Sequence, residues 1–394
     1  MFELARRMDK VRASDIRELL KLTDKPGMIS FAGGLPAPEL FPVERLKEVT
    51  AAVLETSGAD ALQYAATEGF SPLRRKIAER MNCRFGTNLS ENNILVTCGS
   101  QQGLDFTGKI FINEGDTILC ESPTYLGAIN AFSAYGPRMV EVPTDDDGML
   151  PDKLEQILGT EKNVRLIYTI PDFQNPSGRT WSAKRRKRFM ELLKGRNIPV
   201  LEDAPYSELR FYGETSPSLK SMDTEGFVIY LGTFSKVFCP GMRIGWVAAD
   251  ERILEKYVLV KQGADLHSSN ITQRNISAYL EKFDLDSDIE NIRKVYKSRR
   301  DAMHEAIQSE FPDGTRFTHP EGGLFTWVEL NGDIDTRELL EESLANNVAF
   351  VPGESFYPNG GGKNTMRLNY SNMPEEKISE GIKILAGLIR KHLN

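Results

Sequence analysis

Between residues 92 and 250 the chain alternates short β-branched runs with amphipathic stretches, and this alternation limits the fold more than any other feature. Asn93–Thr97, Thr117–Glu121, Arg138–Val142, Val164–Thr169, Ile198–Glu202, Phe227–Leu231 and Arg243–Ala248 read as seven strands. Ser100–Ile112 and Tyr125–Ala134 read as helices, the first ended by Asn113-Glu114-Gly115-Asp116. Strands spaced by helices are βαβ units, which build a mostly parallel sheet covered on both faces. Ligands of such a sheet bind outside the carboxyl ends of its strands. The residues that follow each run are therefore the ones to inspect.

From about residue 285 the texture changes. A long helix is expected from near Asp288 to Glu310, then strand-like runs Arg316–Pro320, Gly323–Glu329 and Thr365–Tyr370, with helices between and after. This predicts a smaller α+β domain beside a large α/β one, a division that 394 residues accommodate. The expected units are residues 1–44 as a segment joining the small domain, 45–285 as the large domain and 286–394 as the small one. In the first segment Ser14 can cap a helix reaching Leu22, and Gly33–Pro38 is too broken for a sheet interior.

The net charge of −7 argues against nucleic-acid binding, which needs a basic footprint. The one basic run, Lys184–Arg188, interleaves with Phe189, Met190, Leu192 and Leu193 at helical spacing and reads as a solvated helix face. No apolar run approaches the roughly 20 residues that cross a bilayer. The first ten residues are charged throughout, unlike a signal peptide. Cys83, Cys98, Cys120 and Cys239 form no C-x-x-C pair, so reduced, mostly buried thiols in a cytoplasmic protein are expected. His267, His304, His319 and His392 lack metal-ligand spacing, and no metal site is expected.

The segment Gly232-Thr233-Phe234-Ser235-Lys236, followed by Arg243, sets a lysine beside two hydroxyls and a guanidinium just after the run Phe227–Leu231. Two readings fit. One is a surface lysine in a strand-to-loop turn. The other is a lysine that forms an imine with a phosphate-bearing aldehyde cofactor. Burial beside a cation would favour loss of the ammonium proton, while Thr233, Ser235 and Arg243 would hold the phosphate. Gly99-Ser100-Gln101-Gln102-Gly103 opens a helix and is a second candidate phosphate cradle, or simply a helix start. Asn175, before Pro176, is pushed towards an extended backbone and could offer its amide to a ring oxygen; an ordinary turn is the alternative. Asp203 emerges from the most apolar run. It could keep a pyridine nitrogen protonated, with Tyr206 reaching a ring hydroxyl, or it could cap a turn. Tyr125 could stack on a planar ligand or face the core. Arg367 sits in an apolar run and needs an anionic partner, either a substrate carboxylate or a protein acid.

In this order these motifs resemble the fold-type I, class I/II pyridoxal-phosphate aminotransferases over nearly the whole chain. Ser30–Pro36, Gln63–Phe70, Gly99–Gly103 and Lys261–Asp265 resemble the 2-aminoadipate and kynurenine aminotransferase branch, which includes the bacterial lysine-biosynthesis enzyme. The resemblance implies pyridoxal 5'-phosphate as cofactor, with Lys236 as Schiff-base lysine and proton shuttle. It implies Asp203 at the pyridine nitrogen, Asn175 and Tyr206 at the ring hydroxyl and Tyr125 stacked on the ring. Ser100, Gln101, Thr233, Ser235 and Arg243 would bind phosphate, and Tyr64 would reach the phosphate of the other subunit, so a homodimer is implied. Arg367, with Gly34 and Asn175, would hold the α-carboxylate, and Arg17 could meet an acidic substrate side chain or merely pair with Asp15 or Glu18. The implied reaction moves an amino group from an L-amino acid, with 2-aminoadipate, glutamate, aromatic and branched-chain donors as candidates, to a 2-oxo acid such as 2-oxoglutarate. A C–S lyase and a non-enzymatic cofactor-binding sensor are the alternatives; the winged helix of related regulators is not expected.

Overall fold

The computed structural model describes residues 2–10 and 25–393. The first elements are β1 (Ile29–Ser30), α1 (Val43–Leu62) and α2 (Ser71–Phe85). Next come β2 (Ile94–Thr97), α3 (Ser100–Phe111), β3 (Thr117–Ser122), α4 (Leu126–Ser133), β4 (Arg138–Asp145), β5 (Gly148–Met149) and α5 (Pro151–Thr160). They are followed by β6 (Val164–Thr169), α6 (Ala183–Leu193), β7 (Val200–Asp203), α7 (Leu219–Met222), β8 (Val228–Thr233) and β9 (Gly245–Ala248). The remainder is α8 (Glu251–Gln262), α9 (Asn270–Lys282), α10 (Leu285–Glu310), β10 (Arg316–Phe317) and β11 (Phe325–Glu329), then α11 (Thr336–Ala345), β12 (Val348–Ala349), β13 (Val351–Pro352), β14 (Thr365–Asn369) and α12 (Glu375–Leu393).

The main sheet has the order β2-β9-β8-β7-β6-β3-β4-β5. It has eight strands among the described residues, not the expected seven. The extra strand arises where Asp145 Oδ1 accepts the Asp147 N–H at 2.9 Å and Gly148 takes φ 90°, turning the chain back so that β5 pairs with the end of β4. The run β8, β7, β6, β3, β4 is parallel, as expected. The strand expected at 243–248 forms as β9 but runs antiparallel to both neighbours.

Parallel strands covered on both faces are apolar along their whole length. Every residue of β7 and β8 is accordingly buried, and so is every residue of β2, whose partner β9 is antiparallel. Because β3, β6, β7 and β8 run the same way, Ser122, Thr169, Asp203 and Thr233 all lie at one edge of the sheet. Thr97 joins them through β9, since Gly245 is opposite both Thr97 and Thr233. A second, antiparallel sheet has the order β10-β11-β14-β13, and β1 pairs in parallel with β12.

Two surface expectations need correction. Arg186, in the basic run, is fully buried: its Nη2 meets Asp172 Oδ1 at 2.5 Å and its Nε donates to Trp181 O at 3.2 Å. It is spaced i, i+3, i+4, i+7 with Phe189, Met190 and Leu193, so it shares their inward stripe. The cysteines are all free, but only Cys120 and Cys239 are buried. The helix expected from Ser14 to Leu22 lies outside the described residues.

Candidate active site

The sheet edge gathers the residues singled out after each strand. Asp203 ends β7 and is 2% exposed. Its Oδ2 accepts the Tyr168 hydroxyl at 2.9 Å, while Oδ1 is buried without a partner. Burial raises the carboxyl pKa to about 7, and the Tyr168 hydrogen bond opposes that rise. A buried oxygen with nothing to accept is a vacancy for a donor, and a cationic N–H would restore the ionised form.

Lys236 follows β8 on the turn that Thr233 and Ser235 build. The Thr233 hydroxyl donates to Ser235 Oγ at 2.9 Å and accepts the Ser235 N–H at 3.1 Å. Lys236 Nζ donates to Gly34 O at 2.7 Å. Burial, with the Arg367 and Arg243 charges, lowers its pKa to about 8. An amine so placed is half neutral near pH 8, the form in which it is a nucleophile and a base.

Arg367 lies in β14 between Trp327 and Val351 of the neighbouring strands and is 1% exposed. Its Nη1 donates to Asn175 Oδ1 at 2.8 Å and its Nη2 to Ala32 O at 2.5 Å. The guanidinium lies 4.2 Å from the Phe325 ring centroid. Nε has no partner, and no carboxylate pairs with Arg367 among the described residues. Burial accordingly lowers its pKa to about 10. Asn175 Nδ2 in turn donates to Tyr206 Oη at 3.4 Å. Burial raises the Tyr206 pKa, with Tyr125 adding to the rise and Arg367 opposing it, so Tyr206 lies within electrostatic reach of Tyr125, Arg367 and Asp203.

The phosphate-cradle candidates also converge. Gly99 caps α3 with φ 69° and offers no side-chain cap, which leaves the N–H groups of the first turn, including those of Ser100 and Gln101, open to an anion. A Cβ on Gly99 would come within 2.5 Å of Arg243 Nη2, so only glycine lets the guanidinium close over the turn. Arg243 itself holds φ 53°, a strained conformation for a residue with a side chain, and donates to Cys98 O at 3.3 Å. Gln101 Nε2 donates to Gly127 O at 3.1 Å, tying α3 to the start of α4, where the Tyr125 ring packs over Gly127.

One candidate stays apart from the rest. Tyr64 is 79% exposed and meets only the edge of His267, with 5.8 Å between centroids, among its ring contacts. Arg17 lies outside the described residues. Some residues of the site escaped the sequence reading: Tyr168, which holds Asp203, and Glu121. Glu121 is buried, its carboxyl raised to about 7 by burial, and it accepts the Ile170 N–H at 3.0 Å and the Trp181 indole N–H at 2.9 Å beneath the Asn175 turn. A polar residue inside an otherwise apolar strand was the available signal for both.

The model of aminotransferase class I and II matches residues 36–385. The chain belongs to that family, the pyridoxal-phosphate-dependent aminotransferases of fold type I. It is 49% identical over 387 residues to aromatic-amino-acid aminotransferase 1 of Thermococcus litoralis, covering 97% of this chain and 93% of that one. It is 44% identical over 384 residues to 2-aminoadipate transaminase of Thermus thermophilus, covering 97% and 95%. The crystal structure of Pyrococcus horikoshii kynurenine aminotransferase superposes with a TM-score of 0.94 at 43% identity, covering 99% and 98%. The aminotransferase thus transfers amino groups, as its relatives do. The residues present fit the cofactor: Asp203 Oδ1 lacks a donor, Lys236 carries a low-pKa amine, and the open first turn of α3 with Arg243 suits a phosphate.

Proposed function

We propose that this aminotransferase carries its cofactor on Lys236 and grips the α-carboxylate of its amino acid with Arg367. The observation behind this reading is a pair of unbalanced buried charges, Asp203 with a free Oδ1 and Arg367 with no acid partner. A ligand with a cationic ring nitrogen at one end and a carboxylate at the other balances both. Pyridoxal phosphate, when bound, supplies an aldehyde for exchange with amino groups and a ring that draws electrons from the substrate α-carbon.

The protein's own groups do the rest. Ser100, Gln101, Thr233, Ser235 and Arg243 would hold the phosphate. Asp203, its carboxylate fixed by Tyr168, would accept the ring N–H. Asn175 and Tyr206 would bind the ring hydroxyl, and Tyr125 would stack on the ring. Arg367, steadied by Asn175 and Ala32 O, grips the carboxylate with Gly34 nearby, so the α-hydrogen is presented to Lys236. The neutral form of the Lys236 amine would take up that proton at Nζ and be able to give it back. We further propose residues 1–44, 45–285 and 286–394 as structural units, with the pairing of β1 to β12 supporting the first as an annex of the last. The exposed Tyr64 fits a homodimer in which it reaches the partner's phosphate, and the four free cysteines fit a cytoplasmic enzyme.

The names of the relatives support 2-aminoadipate, kynurenine and aromatic donors. Glutamate and branched-chain donors, 2-oxoglutarate as acceptor and Arg17 as a contact for acidic side chains rest on the resemblance of the motifs alone. The test is a donor panel with 2-oxoglutarate, comparing the wild type with Lys236→Ala. Transfer from at least one of these donors, and its loss together with the cofactor absorbance in the variant, is expected. A variant that retains both overturns the reading.

A further inference from the structure

Lys261 lies in the last turn of α8 and its side chain is fully buried. A buried ammonium needs partners, or burial drives it neutral. Its Nζ donates to both oxygens of Asp265 at 2.8 and 2.9 Å, to Ser268 Oγ at 3.0 Å and to Gln102 Oε1 at 3.1 Å. Gln102 belongs to the first turn of α3. Its Oε1 also accepts the Cys98 N–H at 2.8 Å, and its Nε2 donates to Asp265 Oδ2 at 2.8 Å. A closed set of hydrogen bonds therefore ties the residue before Gly99, and the start of α3, to the end of α8. Gly99 supplies no side-chain cap, so this set fixes the position of the turn while leaving its first N–H groups open.

The network extends towards Tyr64 as well. Ser268 O accepts Gln273 Nε2 at 2.9 Å, and Gln273 Oε1 accepts the Phe70 N–H at 2.7 Å. His267, two residues after Asp265, carries the edge contact with Tyr64. One buried cation is thus hydrogen-bonded to the start of α3 and, through Ser268 and Gln273, to the backbone of Phe70, in the segment that follows Tyr64.

We propose that Lys261 and Asp265 are positioning residues of the cofactor site, holding the Gly99–Gln101 turn and the Tyr64 loop in one register. The proposal rests on the reading of Ser100 and Gln101 as phosphate ligands. The lysine acts through Gln102 and Cys98. Without it the Gln102 amide loses its anchor and the N–H groups of the turn spread over more orientations. Donors fixed in advance bind an anion more tightly than mobile ones.

The test uses the full-length protein with pyridoxal phosphate as the probe. Lys261→Met keeps a long apolar stem, and Gln102→Ala is a milder change at the surface end of the network. The dissociation constant of pyridoxal phosphate should rise about tenfold in the first and about threefold in the second. The phosphorus NMR line of the bound phosphate should shift and broaden in both, a readout that a merely structural lysine would leave in place while the melting temperature fell. Wild-type affinity and an unmoved line in both variants overturn the proposal; if Lys261→Met does not fold, Gln102→Ala alone decides. Ser100→Pro run in parallel separates the two layers: proline is tolerated at the first helical position and removes one of the open N–H groups, so no effect there means that the phosphate-turn reading itself has failed.

Discussion

Replacing Asp203 with asparagine should help the cofactor-free protein and harm the loaded one. The carboxyl is 2% exposed, and burial lifts its pKa from 3.8 to about 7. An acid whose pKa is higher in the folded state than in the unfolded one costs stability. The cost begins as the pH rises past about 4, grows until about 7 and is constant above that. It amounts to about 4 kcal/mol at pH 8 and about 2 kcal/mol at pH 5. Asparagine removes the charge and can still accept the Tyr168 hydroxyl, but it leaves a buried amide N–H whose desolvation costs about 1–3 kcal/mol. That second cost is the same at both pH values and cancels when they are compared. The stability of Asp203→Asn relative to the wild type should therefore improve by about 2–3 kcal/mol between pH 5 and pH 8.

Urea unfolding of the cofactor-free proteins at the two pH values, followed by tryptophan fluorescence, measures this directly. Saturating pyridoxal phosphate should invert the ranking, because asparagine cannot pair with a protonated ring nitrogen as a carboxylate does. The cofactor dissociation constant should rise by at least about tenfold, the loss of a charge-assisted hydrogen bond. A stability difference that stays the same at pH 5 and pH 8 would refute the argument, since Asp203 would then not be an ionised carboxyl held in an apolar setting.

Arg367→Lys keeps a charge but loses the fork that now spans Asn175 Oδ1 and Ala32 O. Its KM for the amino donor should rise about 10- to 100-fold with cofactor absorbance intact, as steady-state kinetics would show. Arg186→Met leaves the Asp172 carboxylate with Ser207 Oγ at 2.9 Å and with Arg210 Nη2 at 4.0 Å. Breaking a buried pair in this way should cost about 3–5 kcal/mol in urea unfolding, and a loss under about 1 kcal/mol would show that Arg210 takes over.

Much of the site was legible because a parallel sheet turns sequence position into spatial position. Any residue just after a strand in β3, β6, β7 or β8 must lie at the same edge, so Tyr125, Asn175, Asp203 and Lys236 could be grouped before any distance was known. The direction of β9 was not legible. A buried strand has the same apolar texture whether it runs with or against its neighbours, and the 3-10 turn Pro240–Met242, with Arg243 in the left-handed region, sends the chain straight back from β8. Arg186 was misread for a different reason. Composition marks a basic run as solvated, whereas spacing alone places Arg186 on the stripe of Phe189, Met190 and Leu193, and spacing wins when an acid such as Asp172 is waiting inside. Tyr168 escaped because its value lies in a partner on another strand, Asp203, across the β6–β7 pairing.

The two unbalanced charges explain why the site needs both sheets. Asp203 ends a strand of the main sheet and Arg367 lies within a strand of the second. Direct pairing would relieve both burial costs and leave nothing for a ligand to balance. Instead Arg367 donates to the neutral Asn175, which donates to Tyr206, while Asp203 accepts from the neutral Tyr168, so neither charge meets an opposite one. The deficit sits on buried apolar strand residues: Leu119, Ile167, Leu201 and Leu231 are each 0% exposed and contribute about 1.5–3 kcal/mol apiece. The stability lost at Asp203 is thus recovered on binding the cofactor and that lost at Arg367 on binding the amino acid's carboxylate, which is why cofactor affinity should track instability across substitutions at Asp203 and donor affinity should track it at Arg367.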